Sequence, residues 1–383
     1  MSLTPIMLEV LWNRLLPQTR NATFFQSLDW LEAYWRHYGS GQELRVLVIA
    51  SASERIGILP LVVRTERTRL GPIRVLGYPL DDWSVFYGPI GPNPTASLVV
   101  AMAYLRRARR EWDMLDLRHV DASRCDHGRT PQAMRLAGFH PHKQAWACGA
   151  VVEMHGTWED YWHGLPTPWR HEVRRCRQRL SELGAIRHVR YRPEGKARGD
   201  GDPRWDLFES CLRIAPALGQ PPPAHRTVLC QATACGFLRD LHEAAAAAGA
   251  LDLNLLLLDG APVAFACHLH YQGRITALGA GEDPRYAALG VGTELERMVL
   301  EDSFRRGDRL YDFGAAPSEQ SRNWQTSAVT SFRYTHFPVP SPRANLLRIT
   351  RWFQEAIGRW DRPRPHRMAA FAAGAREPVA RML

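Results

Sequence analysis

An apparent internal repeat is the feature that most limits what this chain can fold into. An apolar run of strand length, Leu44–Ala50, is followed after a polar turn by a second one, Ile56–Val63. The same pair recurs downstream as Leu251–Leu258 and Val263–Tyr271, joined by an Asp-Gly hairpin signal. The offset between the two copies, counted from the first residue of each, is 207 residues.

Each copy continues with a glycine-containing stretch, a helical pattern and another short strand, Met114–Leu117 or Leu310–Phe313. Asp116 and Asp312 stand at equivalent places in these strands. Alternating strands and helices are typical of α/β folds. The repeat therefore predicts two related α/β units in tandem, each with a central mixed sheet flanked by helices. We expect them over residues 1–153 and 154–337, followed by a C-terminal segment over 338–383.

The composition is that of an ordinary globular protein. The chain has 383 residues, of which 45% are hydrophobic and 23% charged, which argues against a collagen-like, coiled-coil, disordered or disulfide-stapled chain. Lys and Arg number 49 against 39 Asp and Glu, for a formal net charge of +10. This excess permits anionic partners, such as nucleic acid, acidic lipid or a phosphate-bearing cofactor, without choosing among them.

The cysteine count and the N-terminus bear on the cellular compartment. Seven cysteines, an odd and sparsely spaced set, are typical of a reducing environment. The first residues show no signal-peptide pattern, and no apolar run approaches the roughly 18 residues that cross a bilayer. We therefore expect a cytoplasmic protein without a transmembrane segment.

A basic segment, Trp169–Gly184, joins the two units and has the periodicity of an amphipathic helix. Its predicted apolar stripe consists of Val173, Cys176, Leu180 and Leu183. Its arginines occupy the other faces: Arg170, Arg174, Arg175, Arg177 and Arg179. The helix is either a docked element with a solvated basic face or a contact for phosphate or RNA. A second basic amphipathic helix is predicted over residues 345–360, packed on the body of the protein or contacting a membrane surface or a partner.

Gly290-Val291-Gly292 stands where a loop opens into a predicted helix, directly after a strand. Glycines let the backbone approach a ligand, and the first free amides of a helix favour an anion. The pattern predicts a pyrophosphate site formed with the flanking Leu289 and Thr293, although such a glycine pair can also be a simple turn. It matches neither the dinucleotide fingerprint nor a Walker loop.

His268 and His270 are two residues apart on a predicted strand and so share one of its faces. They could supply a general base, or they could be a polar strand face covered by neighbours. No third ligand is spaced to complete a zinc site, so we expect no metal. The chain lacks the G-x-S-x-G and H-E-x-x-H motifs, and the Asp-Phe-Gly at 312–314 lacks the other kinase motifs.

Residues 279–314 carry a resemblance to a known family. This segment is similar to the GNAT acetyltransferase domain of CelD-type cellulose-biosynthesis proteins, in which G-x-D-x-x-Y, a glycine turn into a helix, and D-x-G recur. The residues that match are Gly281, Asp283, Tyr286, Gly292, Asp312 and Gly314. The resemblance covers roughly residues 20–337, and Fem-type peptidyltransferases share the tandem architecture.

The resemblance implies an N-acyltransferase that moves an acyl group from acetyl-CoA or another acyl-CoA to an amine, in cell-envelope or polysaccharide biosynthesis. The bound thioester would lie near the candidate bases His268, His270 and Glu282 and the candidate acids Tyr286 and Tyr311. The acceptor would contact Asp283, Asp312, Asn323 and Trp324. An aminoacyl-tRNA-dependent peptidyltransferase of the Fem type and a non-catalytic binding module are the alternatives.

The chain also departs from the family pattern. The usual Pro-Gly at the turn is Val291-Gly292 here, and the lysine often found soon after D-x-G is missing. In the first unit, prolines stand where the second has its glycine loop: Pro89, Pro92 and Pro94. Because proline has no amide hydrogen to donate, we expect the first unit to bind no pyrophosphate.

Overall fold

One mixed sheet organises the chain in the computed structural model, which describes residues 4–51, 54–68, 71–80, 86–214, 232–315 and 318–338. The side chains of 232–235 and 315 are outside this description, and so is the helix predicted over 345–360. The described strands are β1 Gln42–Ser51, β2 Glu54–Thr68, β3 Gly71–Gly77, β4 Met114–Asp121, β5 His142–Glu153, β6 Ile186–Tyr191, β7 Leu251–Leu258, β8 Ala261–Tyr271, β9 Arg274–Glu282, β10 Leu310–Ala315 and β11 Ser327–His336.

Helices connect these strands and cover the sheet. The described α-helices are α1 Pro5–Leu15, α2 Leu28–Tyr38, α3 Pro94–Arg107, α4 Arg129–Leu136, α5 Trp158–Gly164, α6 Thr167–Leu183, α7 Trp205–Ile214, α8 Ala232–Ala247, α9 Pro284–Ala287, α10 Val291–Arg305 and α11 Glu319–Arg322. None of these helices is both long and apolar enough to cross a bilayer.

The predicted repeat is confirmed by the pairing register of the two hairpins. Leu44 of β1 pairs with Val62 of β2, and Leu251 of β7 pairs with Leu269 of β8, so both members of the pair are shifted by the same 207 residues. The fold is therefore the expected mixed α/β arrangement of two related units.

The two units exchange their last strands, which the sequence did not indicate. The strand order is β1-β2-β3-β4-β11-β5-β10-β9-β8-β7-β6. Strand β5 of the first unit lies between β10 and β11 of the second, and β11 lies between β4 and β5. The two halves consequently share a single eleven-stranded sheet within the described residues. Strand β6 at its edge was also not foreseen.

A parallel strand pair separates after only three residues in each unit. Strands β3 and β4 pair from Val75–Met114 to Gly77–Asp116, and β9 and β10 pair from Arg274–Leu310 to Thr276–Asp312. Three successive antiparallel pairings lie between β4 and β10. Strands β4 and β10 therefore run in opposite directions, and the two separations open toward opposite ends of the strands.

The second unit buries one side of its sheet under α6 and α10. Val173 and Leu180 of α6 and Leu295 and Val299 of α10 join one apolar cluster with β7 and β8, as the helical periodicity predicted. Leu183 is the exception to the predicted stripe, because it lies in the last turn of α6 and its surface is 53% exposed.

Candidate active site

The edge of β9 forms one wall of the cleft that opens beyond Thr276. Pairing with β10 ends at that residue, while β9 continues to Glu282 with its other edge held by β8. The side chains of this stretch are mostly small (Ala277, Leu278, Gly279, Ala280 and Gly281), and most are only half-buried. The β10-facing edge of 277–282 is therefore available to an extended ligand, because a strand edge offers alternating donors and acceptors.

The cleft leads to the first turn of α10. Asp283 begins α9 by accepting a hydrogen bond from the Arg285 amide at 2.9 Å, and Gly290 then caps α10 with φ of 81°. A side chain at Gly290 would be strained by this φ and would meet Cys176 Sγ of α6 at 2.4 Å. Glycine is required here because a left-handed backbone and a close helix contact coincide.

The five residues of the predicted phosphate loop lie together around this turn. The side chains of Val291 and Thr293 are buried and that of Leu289 packs against the apolar cluster, so a ligand would meet main-chain amides rather than side chains. The Gly292 N–H donates to Glu282 Oε2 at 3.3 Å. A carboxylate thus occupies the positive end of the helix, where an incoming phosphate would have to displace it.

His268 and Tyr311 meet across β9, beside the point where the strands separate. Tyr311 Oη lies 2.7 Å from His268 Nε2, and Asn254 Nδ2 lies 3.1 Å from His268 Nδ1. Asn254 also donates to Asp252 at 2.9 Å and faces His188 through its oxygen at 3.0 Å. This network assigns the proton of neutral His268 to Nε2, which donates to Tyr311.

Burial sets the pKa of both groups. Burial lowers the pKa of His268 to about 4, against the opposing field of Asp252, and burial raises the pKa of Tyr311 well above its ordinary value. Both side chains are therefore neutral near pH 7.

His270 lies apart from this pair, two residues further along β8, where it is paired with Ile275 of β9. Its Nε2 is 3.1 Å from Asp308 Oδ1. Asp308 also accepts from Arg192, which is joined to Asp252 at 2.7 Å. The structure therefore ties His270 to an ion-pair network beneath α10. Sequence reasoning missed that network, although a lone Asp and Asn inside the apolar run of β7 were a usable signal.

The residues predicted to contact the acceptor lie in different environments. Asp312 is fully buried, accepts from Arg274 at 2.6 Å and from the Gly314 amide at 3.0 Å, and so fixes β10 where it leaves β9. Trp324 is also fully buried and donates to Glu296 at 2.9 Å. Asn323 is exposed. Tyr286, a candidate acid, is half-buried in α9 with the Arg285 guanidinium 5.6 Å from its ring.

In the first unit, a cluster of ion pairs stands where β3 and β4 separate. Asp116, the counterpart of Asp312, receives two hydrogen bonds from Arg333 of β11 at 2.6 Å and another from Arg118 at 2.8 Å. Burial by itself would raise the pKa of Asp116, but Arg333 and Arg118 hold it well below its ordinary value. The ion pairs of this cluster therefore lie where β3 and β4 separate.

Comparison with known proteins gives the family. Residues 169–322 match the sequence profile of the acetyltransferase (GNAT) domain, and this range contains the cleft, the α10 turn and the His268–Tyr311 pair. This part of the chain is a GNAT domain. No curated protein matches its sequence significantly.

The chain is also similar to solved structures over most of its length. FemX is 10% identical with a TM-score of 0.57, over 88% of this chain and 97% of FemX. A conserved protein of unknown function from Bacteroides thetaiotaomicron is 9% identical with a TM-score of 0.54, over 86% and 97%. A tandem GNAT protein from the clavulanic acid biosynthesis pathway is 12% identical over 89% and 98%, with a TM-score of 0.46. Identities this low speak to the fold alone. Among the described residues, no three His, Cys, Asp or Glu side chains are grouped to hold a metal ion.

Proposed function

We propose that this protein transfers an acyl group from acyl-CoA, most simply acetyl-CoA, to the nitrogen of an amine. The observation that carries the proposal is the path formed by the β9 edge and the first turn of α10. The strand edge suits an extended amide-containing arm, and the amides of Val291 and Gly292 suit a pyrophosphate.

The dimensions of this path agree with such a ligand. From Thr276 to Glu282 the strand rises about 20 Å at 3.3 Å per residue, which is the scale of an extended phosphopantetheine arm. A pyrophosphate at Gly292 would therefore bring the thioester to the point where β9 and β10 separate. Tyr311 lies at that point and Glu282 lies at the phosphate end, so the proposed acid–base group is Tyr311 supported by His268 rather than Glu282 or His270.

Each residue then has a defined task. The neutral amine attacks the thioester carbon, so the C–N bond forms and the C–S bond breaks. The nitrogen then loses its extra proton to water, because neutral His268 already accepts at Nδ1 and donates at Nε2. Tyr311 donates its hydroxyl proton to the departing thiolate and recovers a proton from water, and its raised pKa keeps it protonated near pH 7 between turnovers. His268 orients the hydroxyl. The acyl-CoA supplies the activated acyl group, and the acceptor is an amine of the cell envelope or of a polysaccharide.

A variant of the helix turn tests the proposal. Gly292→Val would place a branched side chain beside Glu282 and over the amides, without imposing an unfavourable φ. Thr95→Val makes a matching change near the exposed start of α3 in the first unit. We expect calorimetric binding of acetyl-CoA to be lost in Gly292→Val alone, with both variants melting like the wild type. Equal affinity in Gly292→Val and the wild type would refute the proposed site.

An aminoacyl-tRNA-dependent transfer is the second candidate, and the exposed arginines of α6 favour it. Binding of aminoacylated tRNA would be measured at about 50 and 200 mM salt, because a purely electrostatic contact weakens steeply over that range. Selective binding that survives the higher salt, together with no binding of any acyl-CoA, would replace acyl-CoA as the donor.

A further inference from the structure

We infer that a cavity between α5, α6 and α10 is a binding site for a nucleoside phosphate. The cavity has a volume of about 240 Å³. It is lined by Trp158, Trp162, Val173, Arg174, Arg177 and the Arg297–Glu301 pair. The inference concerns the outer side of α10 and does not depend on the proposed acyl transfer.

Two indoles give the cavity a flat aromatic wall. The rings of Trp158 and Trp162 lie 5.7 Å apart at 29°, and Phe304 packs on Trp158 with ring centroids 6.0 Å apart. Both tryptophans are only half-buried, so an aromatic surface stays open to the cavity. Indole faces bind planar bases by stacking, which contributes about 1–3 kcal/mol per base.

Two arginines give the same cavity an uncompensated positive charge. The guanidinium of Arg174 stands 5.9 Å from the centre of the Trp162 ring. Neither Arg174 nor Arg177 forms an ion pair with any residue that the structure describes. The other arginines nearby are engaged: Arg175 and Arg179 by Glu172, and Arg297 by Glu294 and Glu301.

This combination fits a nucleoside phosphate better than a simple anion or an apolar ligand. Arg174 and Arg177 are three residues apart on a helix and so can reach one group together, and guanidinium groups bind the doubly charged phosphate through paired hydrogen bonds. The indoles would take the base. A simple carboxylate would leave the indoles without a contact, and an aliphatic chain would leave the arginines without one.

Calorimetry with adenosine 3′,5′-bisphosphate, AMP and adenosine tests the site. We expect both phosphates to bind and adenosine to bind at least about tenfold more weakly, since a charge-assisted contact is worth about 1.5–3 kcal/mol. The double variant Arg174→Gln/Arg177→Gln should lose binding of both phosphates. The matched double variant Arg175→Gln/Arg179→Gln, on another face of the same helix, should keep it.

Measuring CoA and AMP affinities in the same variant identifies the source of the nucleotide. If CoA affinity also falls in Arg174→Gln/Arg177→Gln, the cavity takes the nucleotide half of CoA; if only AMP affinity falls, it takes a free nucleotide. Unchanged nucleotide binding in this variant, or equal losses in both double variants, would overturn the inference. Binding of single-stranded oligonucleotides without any binding of mononucleotides would also overturn it. Since Gly292→Val acts at the first turn of α10 and Gly292 does not line the cavity, failure here leaves the acyl-CoA proposal untouched.

Discussion

Glu282 places its carboxylate on the main-chain amide of Gly292, at 3.3 Å, in the turn proposed to hold a pyrophosphate. A negative side chain stabilises the start of a helix, but here it also competes with an anionic ligand for the same position. At the proposed acyl-CoA site, the obstacle to an incoming phosphate is therefore the charge of Glu282 rather than the size of a side chain.

Glu282→Gln should tighten acetyl-CoA binding. The glutamine keeps the shape of the side chain and removes its charge, and charges at helix ends are worth about 0.3–2 kcal/mol. The expected gain in affinity is therefore roughly 2-fold to 30-fold by calorimetry. Glu319→Gln in the first turn of α11 should leave affinity unchanged. Weaker binding in Glu282→Gln would mean that the carboxylate helps to hold the ligand.

Tyr311→Phe should slow turnover while sparing acyl-CoA affinity. The variant loses the proton donor and the 2.7 Å contact with His268, and loss of an acid or base costs about 10²–10⁴ in rate. Release of free CoA thiol with a panel of amines measures this. Tyr78→Phe is the control, because the Tyr78 hydroxyl is buried in the first unit without a hydrogen bond to any described residue. Equal rates in Tyr311→Phe and wild type would remove Tyr311 from the reaction.

The free energy of unfolding should fall as the pH drops from about 6.5 to about 4. Burial lowers the pKa of His268 to about 4, so the unfolded chain takes up a proton in this window and the folded chain does not. At 1.36 kcal/mol for each pKa unit, His268 accounts for roughly 3 kcal/mol of the loss. His242 and His336 have pKa values lowered to about 4 by burial as well.

Urea unfolding of His268→Gln at several pH values would isolate the share of His268. The variant should show a shallower loss of stability with acid than the wild type. A parallel decline of the two proteins would mean that His268 has the same pKa in the folded and the unfolded chain.

Asp116→Asn should destabilise the whole protein by about 3–5 kcal/mol. The change leaves the buried guanidinium groups of Arg333 and Arg118 without their shared carboxylate, and breaking a buried pair from one side is costly. The exposed pair of Arg204 and Asp206 offers the contrast, since Arg204→Gln should shift the unfolding free energy by less than about 1 kcal/mol. Similar small effects in both variants would show that the buried cluster is not needed for stability.

The sequence predicted the local features of the fold well. The 207-residue repeat, the strand before α10 and the glycine loop that opens into α10 all follow from residue patterns that act over short distances. The strand exchange was not predictable in the same way, because β5 and β11 have ordinary strand patterns and their partners lie far along the chain.

In the candidate site too, local patterns were predictable from the sequence and tertiary contacts were not. Alternation along β8 predicted that His268 and His270 share a face, but it could not say what covers each one. The ring nitrogens of His268 face Asn254 and Tyr311, while His270 lies against the carboxylate of Asp308. The pKa of a histidine depends on such contacts, so the choice of a catalytic group had to wait for the structure.

Because β5 and β11 are exchanged, each half of the molecule completes the sheet of the other. Removing the first unit would strip both neighbours from β11 and one from β10, leaving long exposed strand edges of the kind that drive aggregation. The first unit is thus needed for the architecture of the sheet, whether or not it binds a ligand of its own. The stability of each cleft then depends on strands supplied by both halves of the sheet.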